Sequence, residues 1–86
     1  MRHARPNDLK PIAPLLDDLR KLPGLKEKTL GSFYRGSKGF LHFHEDAGDL
    51  FADLKIGDEF ERLPATTLSD RKALLAKART ALAALK

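Results

Sequence analysis

Apolar residues recur at helical spacing near both ends of the chain and at a spacing of two in its middle. The first helical segment is predicted at about 12–22, and its apolar face comprises Leu9, Ile12, Leu15, Leu16, Leu19 and Leu22. Pro23 and Gly24 end this segment. Near the other end, Thr67 to Asp70 resembles a capping box, and apolar residues follow at helical spacing to Leu85. The pattern therefore predicts one helix at each end of the chain.

The middle of the chain alternates between apolar and polar residues, as strands with one buried face do. The predicted strands are 29–35, 40–44, 50–56 and about 60–63. This order predicts an α+β fold with an N-terminal helix, a three- to four-stranded antiparallel meander and a C-terminal helix, both helices lying on one face of the sheet. The 86 residues suit one domain, 1–86, of which 1–7 is interpreted as a flexible basic arm.

Turn lengths assign each strand residue to one face of the sheet, because a slip of one residue would invert every side chain. The core face is predicted to hold Leu30, Tyr34, Leu41, Phe43, Leu50, Ala52, Leu54 and Ile56, with Phe60 added if the last turn has odd length. The opposite face, called the open face below, is predicted to hold Phe33, Arg35, Phe40, His42, His44, Phe51, Asp53 and Lys55. Three phenylalanines exceed what an ordinary solvated face carries, so a binding or self-association surface is predicted. The alternative is that the basic arm or a loop covers this face.

Two histidines on this face suggest a metal site. His42 and His44 are one residue apart on a predicted strand, so both imidazoles point to the same face. The predicted register places Asp53 opposite His42. Two imidazoles and a carboxylate suit a divalent transition metal, so these three residues are candidate metal ligands. The alternative interpretation is a pair of surface histidines that flank a core phenylalanine.

Composition excludes several chemistries. The chain contains no cysteine, which excludes disulfides, thiolate catalysis and thiolate-bound metals and fits a reducing, cytoplasmic location. No apolar run approaches the length of a membrane span, and the start of the chain lacks the apolar segment of a secretory signal, so no membrane partner is expected. Neither a nucleophile elbow nor a phosphate-binding loop occurs, so enzymatic activity is disfavoured and no cofactor is expected.

Charge is unevenly distributed along the chain, whose formal net charge is +4. Residues 45–61 hold seven acids and one lysine, whereas both ends are basic. The aromatic residues Phe33, Tyr34, Phe40 and Phe51 interleave with Arg35, Lys38 and Lys55, in the manner of a stacking platform for single-stranded nucleic acid. The acidic segment would repel phosphates, so nucleic acid is a disfavoured partner.

The segments Phe33–Arg35, Phe40–Asp46 and Gly48–Leu54 resemble a family of short, uncharacterised bacterial proteins. The order helix, strands, helix is also similar to that of the MmcQ/YjbR-like proteins and of the frataxin-like sandwiches. The first similarity implies DNA binding, and the second implies iron handling through acidic residues on a helix. The chain is shorter than either, and its predicted first helix has only Asp17 and Asp18 as acids, so no functional residue is carried over.

Three functional hypotheses follow. The first is a non-enzymatic interaction module that uses the open face to bind a protein partner or to form a homodimer. The alternative is divalent-metal binding through His42, His44 and Asp53, and the second alternative is nucleic-acid binding. All three depend on which residues the strands present on the open face.

Overall fold

Three helices and six strands make up residues 1–85, the part of the chain that the computed structural model describes. In chain order the elements are β1 (Arg2–His3), α1 (Pro6–Leu9), a 3-10 turn (Lys10–Ile12), α2 (Ala13–Arg20), β2 (Lys26–Thr29), β3 (Ser32–Arg35), β4 (Lys38–Asp46), β5 (Asp49–Ile56), β6 (Glu59–Pro64) and α3 (Leu68–Ala83). The α+β prediction is confirmed, but the sheet has six strands rather than three or four. Each helix in this part of the chain is too short or too polar to serve as a bilayer-crossing segment.

Five strands form an antiparallel meander in the order β2-β3-β4-β5-β6, and β1 pairs with β4. β1 and β3 lie end to end along the same edge of β4, since His3 pairs with His44 and Ser32 pairs with His42. The N-terminus therefore extends the sheet next to the two histidines of β4.

Residues 1–7, interpreted from the sequence as a flexible basic arm, thus include a strand. Arg2 forms ion pairs with Asp8 and Glu45, at N–O distances of 3.0 and 3.1 Å. The backbone N–H of Ala4 donates to the carbonyl of Phe43 at 3.1 Å. These contacts fix the position of His3 relative to β4.

Prolines divide the N-terminal helical region into short segments. Pro6, Pro11 and Pro14 occupy the first turns of α1, the 3-10 turn and α2, where a missing N–H costs least. The periodicity predicted one helix at 12–22, whereas α2 spans Ala13–Arg20. The capping box of α3 forms as predicted, because the Thr67 hydroxyl accepts from the Asp70 N–H and the Asp70 carboxylate accepts from the Thr67 N–H.

The register of β4 with β5 agrees with the prediction. Leu41 pairs with Leu54 and Phe43 with Ala52, and all four are buried beneath the helices. The buried core comprises Leu9, Ile12, Leu15, Leu16, Leu19, Phe33, Phe40, Leu41, Phe43, Leu50, Ala52, Leu54, Ala65, Leu74, Ala78 and Ala81. The residues that alternate with the buried ones on β4 and β5 therefore emerge on the open face.

A bulge in β4 changes the faces of several aromatic residues. Phe33 pairs with Leu41 but Tyr34 pairs with Gly39, which leaves Phe40 as the extra residue. Phe33 and Phe40 consequently point into the core, each only 1% exposed. The expectation that these two phenylalanines lie on the open face is wrong, and so is the expectation that Tyr34 lies on the core face.

Arg35 is also placed differently from the prediction, because it shares the side of Phe33. Its guanidinium Nη1 donates to the Leu85 carbonyl at the end of α3, at 2.8 Å. The expectation that Arg35 lies on the open face is therefore wrong. This hydrogen bond ties β3 to the C-terminal end of α3 instead.

The last hairpin has a two-residue turn, not the turn of odd length that would have added Phe60 to the core face. Ile56 pairs with Glu59 across Gly57 and Asp58, so Phe60 lies opposite Lys55 on the open face and is 48% exposed. Leu30, predicted in the core, lies in the exposed turn between β2 and β3, and Ile56 is also exposed. The sequence did not reveal the length of the last turn or the residues at which the strands end, and these decide the face on which each side chain lies.

Glu27 connects α2 to the β2–β3 hairpin. Its carboxylate accepts two hydrogen bonds from Arg20, at 2.6 and 3.1 Å, and one from the Gly31 N–H at 2.8 Å. Burial raises the pKa of Glu27, but these hydrogen bonds and the Arg20 charge outweigh it and hold the pKa below its ordinary value of 4.5. Ionised Glu27 therefore stabilises the folded state.

Replacing Glu27 by Gln is expected to lower the free energy of unfolding at pH 7 by about 1–2 kcal/mol. Because the folded-state pKa is depressed, this stabilisation is present above the ordinary pKa and is lost as the pH falls through the folded-state value. Urea denaturation between pH 7 and pH 3 should show the two proteins converging in acid. Glu59→Gln, at an exposed position, is the control, and an equal loss in both variants would contradict this role.

Gly31 has a positive φ of 77° and is buried against α1. A methyl group there would come 2.8 Å from Leu9 Cδ1, so Gly31→Ala should lower the free energy of unfolding by about 1–3 kcal/mol. Gly24 has a similar φ of 85°, but no described atom lies within 4 Å of the added methyl. Gly24→Ala therefore measures the backbone cost alone. A loss at Gly31 no larger than at Gly24, in thermal or urea unfolding, would contradict the packing argument.

Candidate metal-binding site

All three histidines of the chain gather on the open face. β4 supplies His42 and His44 by simple alternation, and β1 brings His3 beside His44. The His3 ring stacks on the His44 ring with centroids 4.8 Å apart and planes inclined by 29°. One ring nitrogen from each histidine lies within 4.8 Å of the other two. The cluster is thus built from two distant parts of the sequence.

Asp53 completes the cluster from β5. It pairs with His42 across the two strands, as predicted. Its Oδ2 lies 2.9 Å from His44 Nε2 and 3.9 Å from His42 Nδ1, and those two nitrogens are 3.1 Å apart. These two nitrogens and one oxygen are therefore close enough together to contact a single ion.

These spacings suit a tetrahedral metal ion. Zinc–nitrogen distances of about 2.0–2.1 Å give a ligand–ligand edge of roughly 3.3–3.4 Å. The distances among His42, His44 and Asp53 fall on both sides of that value. His3 is the farther ligand: its nitrogen lies within 4.8 Å of those of the other two histidines, so reaching the same nitrogen–nitrogen edge needs a movement of at most roughly 1.5 Å. The His3 side chain is exposed, so the ring has room for this movement.

Arg62 holds the carboxylate of Asp53 from the other side. Its Nε donates to Oδ1 at 2.8 Å and its Nη2 donates to Oδ2 at 3.0 Å. This paired hydrogen bond lowers the pKa of Asp53, despite the opposing effect of burial, so the carboxylate is ionised. Arg62 also offsets the negative charge that a cation would meet.

The imidazole of His42 is kept in its neutral form. Desolvation lowers the pKa of His42, and the neighbouring His44 and His3 reinforce the shift against the attraction of Asp53. A neutral imidazole is the form that ligates metals. The ring of Phe60 packs beside His42, with centroids 5.4 Å apart, and shields one side of the cluster.

Three residues of this site were predicted from the sequence. His42, His44 and Asp53 come together as expected, and Phe51 and Lys55 share their face. Phe33, Phe40 and Arg35, which were predicted on the same face, lie on the side of the sheet that carries the helices. His3 was missed because a two-residue strand has no periodicity, and Arg62 was missed because it depends on the two-residue turn at 57–58. A two-residue turn at Gly57 and Asp58 sets the register that pairs Arg62 with Asp53, and the glycine in it is the sequence signal for such a turn.

Comparison with protein-family models, curated protein sequences and solved structures found no significant match for this chain. The similarity to short bacterial proteins, to MmcQ/YjbR-like proteins and to frataxin-like sandwiches therefore stays a prediction.

Replacing Asp53 by Asn should lower the free energy of unfolding by about 1–3 kcal/mol, because Arg62 and His44 lose a charged, largely buried acceptor. The measurement is urea denaturation at pH 7 with EDTA present, so that metal does not contribute. Asp49→Asn, at the exposed start of β5, is the matched control. Equal stabilities of the two variants would show that the Arg62–Asp53 pair does not contribute.

Proposed function

We propose that this protein binds a divalent transition metal, with His3, His42 and His44 as nitrogen ligands and Asp53 as the adjoining carboxylate. The observation that carries the proposal is the convergence of all three histidines on one side of the sheet. Positions 42 and 44 share a strand, but position 3 arrives through a separate strand pairing. Independent surface histidines have no reason to meet in this way.

The burial of the cluster supports the same function. The side chains of His42 and His44 are only 29% and 13% exposed, although both lie on the open face. Bringing two imidazoles and a carboxylate together with little water removes solvent from three lone pairs. A bound cation satisfies all three lone pairs at once, whereas a single proton bridges them incompletely.

The set of ligands favours zinc and related metals over hard cations. Imidazole nitrogen suits zinc, copper and nickel, whereas calcium and magnesium require several oxygen ligands. Only Asp53 supplies oxygen within this cluster, and Arg62 offsets its charge. We therefore expect micromolar or tighter binding of zinc and cobalt(II) and weak binding of magnesium.

The three histidines are expected to differ in importance. His42 and His44 are fixed on the central strand β4, and their nitrogens already have tetrahedral spacing. His3 lies on a two-residue strand and needs a small movement. The β4 pair is expected to determine the affinity, and His3 to increase it.

Cobalt(II) titration provides the test, because four-coordinate cobalt gives intense visible absorption. The wild-type protein should bind one equivalent, His42→Ala and His44→Ala should each bind at least ~100-fold more weakly, and His3→Ala roughly 10-fold more weakly. The protein must be purified without a nickel column or a histidine tag. Asp49→Asn is the control, and its affinity should equal that of the wild type.

Thermal unfolding with zinc supplies an independent readout of the same site. Binding to the folded state alone stabilises it by mass action, so zinc at 100 times the Kd should add about 2.7 kcal/mol. If the wild type shows no saturable cobalt absorption and no zinc-dependent rise in Tm, metal binding is contradicted. Equal affinities in the wild type and in His44→Ala would contradict the assigned ligands.

The interaction-module hypothesis has less support than metal binding. It relied on three phenylalanines, of which only Phe51 lies on the open face, where Phe60 joins it. Protein partners, a homodimer, a bacterial origin and a cytoplasmic location stay predictions.

A further inference from the structure

The acidic residues of the segment 45–61 are divided between the two faces of the sheet. Glu59 and Glu61 pair with Ile56 and Leu54, so they lie on the side of the sheet that carries the helices. Glu61 there approaches Lys77 of α3, with an N–O distance of 3.6 Å. These two acids therefore do not face the open side, and the repulsion of phosphates there is weaker than the sequence predicted.

The open face gathers cationic side chains instead. Four of them lie there: Lys26, Lys28, Lys55 and Arg62. Asp53 is the acid nearest the centre of this face, and Arg62 pairs with it. Asp46 and Asp49 lie at the far end, where β4 turns into β5. The centre of the open face is thus positively charged.

Two aromatic rings lie among these cations. Tyr34 and Phe60 flank Gly39, since a methyl group at that glycine would lie 3.9 Å from Tyr34 Cε2 and 3.8 Å from Phe60 Cζ. Gly39 has no side chain to fill the space between the two rings, and these three residues are called the aromatic shelf below. The Lys28 ammonium lies 4.6 Å from the centre of the Tyr34 ring, and Lys55 lies directly across from Phe60.

We infer that the aromatic shelf binds single-stranded nucleic acid, with a base stacked on Phe60 beside Tyr34 and phosphates contacting the surrounding cations. Exposed rings on an open antiparallel sheet stack unpaired bases, and lysine and arginine neutralise the backbone. A protein partner fits this face less well, because one half-exposed phenylalanine inside a ring of cations offers little apolar area. The proposal does not depend on the metal, which binds at the neighbouring histidines.

Fluorescence anisotropy with a labelled 12-nucleotide oligothymidine tests this proposal in the presence of EDTA. We expect micromolar binding at 20 mM salt, with log Kd rising by about 2–3 per tenfold increase in salt if three or four phosphates are contacted. An unlabelled duplex of equal length should compete less well, since its bases are not free to stack.

Matched variants separate stacking from general attraction. Phe60→Ala should weaken binding by roughly 5- to 100-fold, because one stacking surface is lost. Leu68→Ala, which removes a side chain that is 73% exposed on α3, should leave binding unchanged. Lys55→Glu should weaken binding much more than Lys72→Glu, which changes the net charge equally but at an exposed position of α3.

Three outcomes would overturn the proposal. They are no binding at 20 mM salt, equal affinities of the Phe60→Ala and Leu68→Ala variants, and equal effects of the Lys55→Glu and Lys72→Glu variants. Because EDTA removes the metal, none of these outcomes bears on the histidine site. Conversely, a failure to bind cobalt or zinc would leave the nucleic-acid measurement unaffected.

Discussion

The antiparallel pairing of β4 with β5 determines the side of the sheet on which each important side chain emerges. Leu41 and Phe43 point toward the helices and are buried there. His42 and His44 alternate with them, so they emerge on the opposite side, where Asp53 arrives from β5. Burial of the two apolar residues therefore fixes the imidazoles beside the carboxylate, since a slip of one residue would exchange the two sets. The stability of the core and the geometry of the candidate site depend on the same register.

The bulge at Phe40 gives the other half of the strand a different role. It turns Phe40 and Phe33 into the core and brings Tyr34 to the open face. Without it, the open face would present these phenylalanines to solvent, as an apolar patch suited to a protein partner. With it, Tyr34 and Phe60 flank Gly39 among lysines. One extra residue thus removes two phenylalanines from this surface and leaves the cationic side chains as its main feature.

Local patterns predicted most of the fold and about half of the candidate site. Helical spacing, the capping box and the alternation of β4 and β5 are short-range signals, so the α+β order and the His42–Asp53 pairing followed from them. The bulge at Phe40 did not follow, because an unpaired residue in a strand has no sequence signature. His3 reaches the site through a strand of two residues, whose position depends on ion pairs with distant residues. Arg62 reaches Asp53 only if the preceding turn has two residues, and the sequence did not fix that length.

The central claim is that His3, His42 and His44 bind one metal ion together. Long-range proton–nitrogen NMR correlation of the imidazoles during zinc titration tests it most directly. The account predicts that all three rings change together and saturate at one equivalent, with zinc on Nδ1 of His42 and on Nε2 of His44. Imidazole spectra that stay unchanged at one equivalent, or a change confined to a single ring, would contradict it.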